Sequence, residues 1–242
     1  MSGERSLYTC LSPALLNLYD ISNSTVVIID VLRATSTIAT ALYNGASSVI
    51  PVASVQQCIE LGKEVGGITA GERDGKVADG LTYGNSPFEY PRDFIEGKIL
   101  VLTTTNGTKL LHMALDNGAS EIITGSFPNL SAVCDHLIQS KRNVLLSCSA
   151  WKDRVNIEDT LFAGAVINRI KQHFTIHCDS SKMAESLFLE AGEDRYSFMK
   201  QRGATHYHRL TNYGLEKDIR YCLSADQANV LPIFKGDRLI VE

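Results

Sequence analysis

The sequence predicts an α/β fold in which a largely parallel sheet is layered between helices (α/β/α). Two observations lead to this prediction. Short apolar runs recur along the chain without the polar–apolar alternation of a half-exposed strand, so they indicate strands that are buried on both faces. Segments of helical character lie between these runs, and strands that alternate with helices form largely parallel sheets.

The strands and helices can be placed in chain order. The predicted strands cover residues 26–29, 48–52, 99–102, 121–124 and 143–146. The predicted helices cover residues 35–43, 54–64 and 108–116. Each helical segment is followed by a pair containing glycine, namely Asn44-Gly45, Gly66-Gly67 or Asn117-Gly118. Glycine accepts the left-handed conformation in which many helices end, so these pairs predict the helix ends.

The chain is expected to form one unit over residues 1–242, and it contains an internal echo. ALYNGASSVI begins at Ala41 and ALDNGASEII begins at Ala114, an offset of 73 residues. This echo favours a duplication of about 26–97 and 98–170, with two similar subdomains and a cleft between them. The alternative is that βαβ units resemble one another through common physics. In either case, ligands of open α/β sheets bind at the carboxyl ends of the strands.

Composition and charge exclude several classes of function. The net charge of −4 disfavours a nucleic-acid partner, which selects a basic face. No apolar run approaches the roughly 18 residues needed to span a bilayer, and the N-terminal residues lack the pattern of a secretory signal. The six cysteines are dispersed without a CxxC pair, so we expect reduced thiols in a cytoplasmic protein. A homodimer is the commonest oligomeric default.

The turn after the first predicted strand, residues 28–37, combines an acid, a guanidinium and hydroxyl donors. Asp30 ends the strand, Arg33 follows, and Thr35 opens the next helix. These groups at a helix N-terminus suit a metal-bound phosphate. The alternative is that Asp30 is a helix cap with Arg33 as its ion-pair partner.

A second turn, residues 102–108, reads LTTTNGT between a predicted strand and a helix. Its hydroxyls and backbone amides would form a concave set of donors for anionic oxygens. The alternative is an ordinary threonine-rich turn with Asn-Gly geometry. The candidate substrate-binding residues here are Thr104, Thr105, Asn106, Gly107 and Thr108.

A third segment, residues 70–87, reads as a long irregular loop with glycines at 71, 75, 80 and 84. Such loops are usually functional in compact domains. Glu72 could hold a cation, and Arg73 could clamp an anion, although both could also be solvated neighbours. Asn85 and Ser86 close the loop as further substrate-binding candidates.

A fourth segment follows the strand at 143–146 and leads to Glu158 and Asp159 at the start of a helix. Paired carboxylates that face Asp30 would form a magnesium site, whereas acids in a first helical turn are also favourable to the helix dipole alone. His206 and His208 form an HxH pair that could bind zinc on a strand, but no third ligand stands at zinc spacing. Cys148 is expected to be a buried thiol rather than a nucleophile.

These segments, in this order, resemble the 2-phosphosulfolactate phosphatase family. The resemblance rests on DVLRAT, GER, GNSP, TTNGT and a late Glu-Asp pair before Ala-Gly, and it runs from about Leu7 to Ile240. It implies magnesium-dependent hydrolysis of 2-phospho-3-sulfolactate to sulfolactate and phosphate, a step of coenzyme M biosynthesis. Two departures, Gly80-Leu81 and Ser149-Ala150-Trp151, would touch pocket walls and bear on the choice of substrate.

The resulting hypothesis assigns roles to the candidate residues. Asp30, Arg33 and Glu72 are catalytic, and Asp30, Glu72 and one of Glu158 or Asp159 hold Mg²⁺. The arginines clamp anionic groups. Either a metal-activated water or Asp30 itself attacks phosphorus, and the residues leave both routes open. The alternatives are a phosphatase for another small 2-phospho acid and a non-catalytic anion-binding protein. The second is disfavoured because carboxylates repel an anion unless a metal intervenes.

Overall fold

A computed structural model describes residues 4–73, 76–104 and 106–242 of the chain. Its ten strands are Leu7–Cys10 (β1), Ser24–Ile29 (β2), Ser48–Val52 (β3), Ile68–Arg73 (β4), Lys76–Val77 (β5), Ile99–Thr103 (β6), Glu121–Gly125 (β7), Asn143–Cys148 (β8), Ile233–Lys235 (β9) and Arg238–Ile240 (β10). Its ten α-helices are Ala34–Tyr43 (α1), Val55–Val65 (α2), Arg92–Ile95 (α3), Gly107–Asp116 (α4), Leu130–Gln139 (α5), Ile157–Ile170 (α6), Asp179–Ala191 (α7), Arg195–Gln201 (α8), Thr205–Thr211 (α9) and Glu216–Cys222 (α10). Short 3-10 helices cover Pro13–Leu18, Pro87–Glu89, Phe127–Asn129 and Lys171–His173.

The strands form a single mixed sheet in the order β1-β8-β2-β7-β9-β10-β3-β6-β4-β5. β1, β8, β2 and β7 run parallel to one another, and so do β3, β6 and β4. The hairpin of β9 and β10 lies between these two parallel groups and pairs antiparallel with each. The predicted α/β fold with a largely parallel sheet is therefore confirmed.

The chain crosses between the two parallel groups twice. β2 lies in the first group, and α1 then carries the chain to β3 in the second group. β6 lies in the second group, and α4 returns the chain to β7 in the first. The two segments of the predicted duplication are thus interleaved, because β2 pairs with β7 and β6 pairs with β3. The duplication itself stays a prediction.

Hydrophobic cores lie on both faces of the sheet. Helices α5 and α6 cover one face of the first group, where Phe127 and Phe162 pack edge to face. α4 and the 3-10 helix Pro13–Leu18 cover the other face. In the second group, α1 packs on one face and α2 on the other. Helices on both faces of the sheet therefore bury its strands on both sides, as the apolar runs predicted.

Two sequence-based interpretations need correction. Residues 70–73 belong to β4 rather than to an irregular loop, because Ile68–Gly71 pair with β6 in the interior of the second group. His206 and His208 lie on α9, not on a strand. Residues two apart on a helix point away from each other, so the HxH pair does not converge on one ion.

The cysteines and helices bear on the other expectations. All six cysteines are unbridged thiols, and Cys148 is buried as expected. Burial raises the pKa of the Cys148 thiol well above its ordinary value, which disfavours a nucleophile. Within the described ranges, no helix combines the length and apolar character needed to cross a membrane.

Candidate active site

A cavity of about 270 Å³ opens where the ends of β2, β4 and β6 approach the C-terminal helices. Six of its lining residues were predicted from the sequence: Asp30, Arg33, Glu72, Asn85, Thr104 and Asn106. The other six were not named as catalytic or substrate-binding candidates: Leu32, Trp151, His206, Arg209, Leu210 and Tyr213. Of these, Trp151 was expected only in the pocket wall, and His206 was considered only as a zinc ligand. Four of the predicted turns therefore supply or border one cavity, although they are far apart in sequence.

Asp30 lies at the end of β2 and is only 8% exposed. The Thr35 hydroxyl fixes its backbone, because it accepts from the Asp30 amide at 3.1 Å and lies 2.9 Å from the Asp30 carbonyl oxygen. Burial raises the pKa of the Asp30 carboxyl to about 6; nearby Glu72 adds to this rise, whereas His206 opposes it. Asp30 is thus a buried acid, and its charged form would be stabilised by a nearby cation.

The first turn of α4 comes close to the Asp30 side chain. A Cβ atom placed on Gly107 would lie 3.1 Å from Asp30 Oδ2 and 3.5 Å from the Ala34 side chain. The absence of a side chain at Gly107 therefore lets the N-terminal turns of α1 and α4 meet beside the carboxylate. In this turn, the hydroxyls of Thr104 and Thr108 lie 3.3 Å apart. Thr105, another predicted substrate-binding residue, lies outside the described residues.

Asn85 lines the cavity and carries an unusual buried oxygen atom. The residue is 4% exposed, and among the described residues no hydrogen-bond donor reaches its Oδ1 atom. A buried polar atom without a partner is costly, so such atoms usually serve a ligand, an ion or an ordered water. The neighbouring Ser86 has a local role instead, because its hydroxyl caps the 3-10 helix Pro87–Glu89.

Glu158 and Asp159 lie behind Asp30, where protein groups already contact them. Asp159 Oδ1 accepts from the Val31 amide at 2.9 Å, and its Oδ2 lies 3.3 Å from the Ala150 amide. Burial raises the pKa of Asp159 well above its ordinary value, and the charges of Glu158 and Asp30 add to this rise. Glu158 Oε1 lies 2.5 Å from His206 Nδ1. Asp159 therefore joins the turn after β2 to the turn after β8, and Glu158 orients His206.

The two predicted anion clamps have protein partners. Arg33 forms a buried ion pair with Asp218 at 2.7 Å. Arg73 donates to the carbonyl oxygen of Glu72 at 2.6 Å and to the hydroxyl of Thr103 at 3.2 Å. Arg33 still lines the cavity, whereas the guanidinium of Arg73 is held against the edge of the second strand group.

The largest contribution missed by sequence reasoning comes from α9 and the turn after it. His206, Arg209, Leu210 and Tyr213 all line the cavity. Their spacing of three, four and seven residues places them on one helical face. The sequence contains this spacing, but it indicates a shared face only if residues 205–213 are predicted to be helical.

Fold and cavity together define an α/β protein with a buried acidic site at the carboxyl ends of its strands. The profile of the 2-phosphosulpholactate phosphatase family matches residues 10–237. The chain is 43% identical to a probable 2-phosphosulfolactate phosphatase of Thermotoga maritima, over 86% of this chain and 88% of that one. It is 36% identical to the protein of that name from Caldanaerobacter subterraneus subsp. tengcongensis, over 91% and 92% of the two chains. The chain therefore belongs to the 2-phosphosulpholactate phosphatase family, as its motifs indicated.

Proposed function

We propose that this chain hydrolyses the phosphate ester of 2-phospho-3-sulfolactate, releasing sulfolactate and phosphate. The observation that carries the proposal is the cavity that gathers Asp30, Glu72, Asn85 and the turn before α4 at one end of the sheet. Family membership supplies the reaction class and the substrate. The reaction would belong to coenzyme M biosynthesis, and the unbridged cysteines favour a reducing compartment such as the cytoplasm.

We propose Mg²⁺ as the cofactor, because the cavity supplies the oxygen atoms that this ion prefers. Asp30 and Glu72 offer carboxylates, and Asn85 offers an Oδ1 atom without a hydrogen-bond donor among the described residues. Within those same residues no group of three His, Cys, Asp or Glu side chains converges as a metal site. That finding fits Mg²⁺, which usually keeps several waters and needs few protein ligands. Of the four predicted metal ligands, Glu158 and Asp159 fit a supporting role better, because they already bind His206 and backbone amides.

The chemistry requires large electrostatic stabilisation, since phosphate monoesters hydrolyse extremely slowly in water. Mg²⁺ held by these residues would supply positive charge that stabilises the negative charge developing on the phosphate. The first turn of α4 would present backbone amides to the phosphate, and Thr104 and Asn106 would orient it through their polar side chains. The burial of Asp30 lowers the local dielectric constant, which strengthens these interactions.

Phosphate release tests the proposal. Purified enzyme is assayed with 2-phospho-3-sulfolactate, 2-phospholactate and an aryl phosphate, each with Mg²⁺ and with EDTA. We expect magnesium-dependent release that favours phosphosulfolactate and disappears in Asp30→Asn. Asp135→Asn, which changes an exposed carboxylate on α5, should retain full activity. Phosphate release from the other two esters alone would support a phosphatase but reject 2-phospho-3-sulfolactate as its substrate. Tight binding of the esters without phosphate release would indicate an anion receptor.

The attacking group can be identified in the same preparation. With an ester made chiral at phosphorus, a direct attack by water inverts the configuration of the released phosphate, whereas two displacements through Asp30 retain it. If Asp30 attacks, an aspartyl-phosphate forms, and hydroxylamine traps its carbonyl carbon.

A further inference from the structure

The lining of the cavity includes an arginine stacked on a tryptophan. The guanidinium carbon of Arg209 lies 3.8 Å from the centre of the Trp151 ring, and both residues line the cavity. Arg209 comes from α9 and Trp151 from the turn after β8, so two distant segments form this pair. The sequence predicted that Trp151 would touch the pocket wall, whereas Arg209 was not predicted at the site.

The turn that carries Trp151 is held in place on three sides. Trp151 and Arg154 exchange backbone hydrogen bonds of 2.9 and 3.0 Å, which close the turn. The Lys109 ammonium on α4 donates to both carboxylate oxygens of Asp153, at 2.8 and 3.0 Å. The Ser12 hydroxyl donates to the Asp153 carbonyl oxygen at 2.8 Å. These contacts hold the backbone of the turn that carries Trp151.

The cavity has to supply positive charge for the anionic groups of the proposed substrate. The proposed substrate carries a carboxylate and a sulfonate in addition to its phosphate, so it needs positive charge at more than one point. Arg33 lines the cavity and forms a buried ion pair with Asp218. Arg209 places a second guanidinium in the lining.

Stacking also suits the recognition of a carboxylate or sulfonate. A guanidinium that lies with its face on an aromatic ring donates hydrogen bonds from its edge, and two parallel N–H groups match two oxygen atoms of an anion. The tryptophan ring holds the guanidinium plane in one orientation, which reduces the entropy lost when the anion binds.

We propose that Arg209, held on Trp151, binds the second anionic group of the substrate and thereby selects phosphate esters that carry a neighbouring carboxylate or sulfonate. This inference rests on the proposed function, since it assigns substrate selection within the same cavity. It makes Arg209 a specificity-determining residue and Trp151 the residue that positions it.

The test compares four phosphate esters under saturating Mg²⁺. They carry both extra groups (2-phospho-3-sulfolactate), a carboxylate only (2-phospholactate), a sulfonate only (2-phosphooxyethanesulfonate) or neither (an aryl phosphate). In Arg209→Gln, kcat/KM should fall about 100-fold for substrates carrying the group that Arg209 binds, mainly through KM, because a hydrogen-bonded charge is lost. For the aryl phosphate it should change less than about threefold by the same reasoning.

Two further variants separate charge from positioning. Arg209→Lys keeps the charge but loses the planar pair of donors, so we expect a loss of about tenfold with the same pattern of substrates. Trp151→Leu keeps apolar bulk but removes the ring face, and we expect a loss of about three- to tenfold. Arg220→Gln is the matched control, because Arg220 stacks 3.6 Å from the Tyr196 ring outside the cavity lining. Arg220→Gln should leave kcat/KM unchanged for all four esters.

Two results would overturn the inference while the phosphatase stands. One is an equal loss of kcat/KM for all four esters in Arg209→Gln, since Arg209 would then bind the phosphate group or stabilise the fold. The other is a wild-type enzyme that does not prefer substrates with a second anionic group. If the wild type releases no phosphate from any ester, the proposed function fails separately. Calorimetric binding of sulfolactate then decides the inference, and unchanged affinity in Arg209→Gln would reject it.

Discussion

Replacing Asp30 with asparagine should abolish turnover and also stabilise the metal-free protein at neutral pH. Burial, assisted by Glu72 and opposed by His206, raises the pKa of Asp30 from its ordinary 3.8 to about 6. The folded protein therefore holds this proton more tightly than the unfolded chain does. The stability that this group contributes is complete below pH 3.8 and is lost as the pH rises through about 6. Above that pH the loss is about 3 kcal/mol, which an uncharged asparagine avoids.

The assay is thermal unfolding of wild type and Asp30→Asn in EDTA over a range of pH. For a chain of this size, we expect the variant to melt about 5–10 °C higher at pH 7.5. At pH 4.5 the gain should shrink to about a third, since the wild-type carboxyl is then mostly protonated when folded. Added Mg²⁺ should raise the melting temperature of the wild type and leave that of the variant nearly unchanged.

Asp135→Asn is the control for this experiment, because its carboxylate is exposed and lies on α5, away from the cavity. It should show no pH-dependent gain. If Asp30→Asn melts at or below the wild-type temperature at pH 7.5 without magnesium, a destabilising buried carboxylate at Asp30 is refuted. A gain of the same size at pH 4.5 and 7.5 would also refute it, because the effect would not then follow the carboxyl charge.

Three other predictions concern the site and its support. Asn85→Ala should raise the Mg²⁺ concentration for half-maximal activity about tenfold, because it removes an oxygen atom that accepts no hydrogen bond from the described residues. An unchanged magnesium titration would remove Asn85 from the metal site. Asp218→Ala should cost about 3 kcal/mol of unfolding free energy in urea, because it leaves Arg33 buried without this carboxylate, and Arg33→Met combined with Asp218→Leu should recover part of the loss. Gly164→Ala should cost about 3 kcal/mol, since a Cβ there overlaps the Ala184 carbonyl oxygen where α6 packs on α7. A urea midpoint within error of wild type would contradict either of the last two.

Local signals in the sequence were sufficient to predict the framework of the fold. The strand predicted at 48–52 has the observed bounds Ser48–Val52, and the helix predicted at 108–116 is observed at Gly107–Asp116. Strands buried on both faces are apolar throughout, and Asn-Gly pairs end helices through backbone geometry alone. Both signals depend on neighbouring residues, so they can be detected without the tertiary structure.

The order of the strands and the partners of the charged residues could not be predicted in this way. Arg33 appeared to be an anion clamp, yet its carboxylate partner Asp218 lies 185 residues further along the chain. Gly236-Asp237 between two short apolar runs is a local signal for the hairpin of β9 and β10, but no local signal places that hairpin between the two parallel groups. Glu158 and Asp159 stay predicted as metal ligands, but their contacts with a histidine and with backbone amides had no signal in the sequence. These features are set by long-range packing.

The interleaved sheet has a consequence for how the protein is made. β2 pairs with β7, so that Thr25 donates to Glu121 across 96 residues of chain. At translation rates of roughly 5–20 residues per second, the apolar strand β2 waits on the order of 5–20 s for its partner to be synthesised. Pairing between distant segments is also slow to form, because the intervening chain must first be ordered. We therefore expect the nascent chain to expose this strand to chaperones. The first strand group should form only after β7 and β8 have left the ribosome.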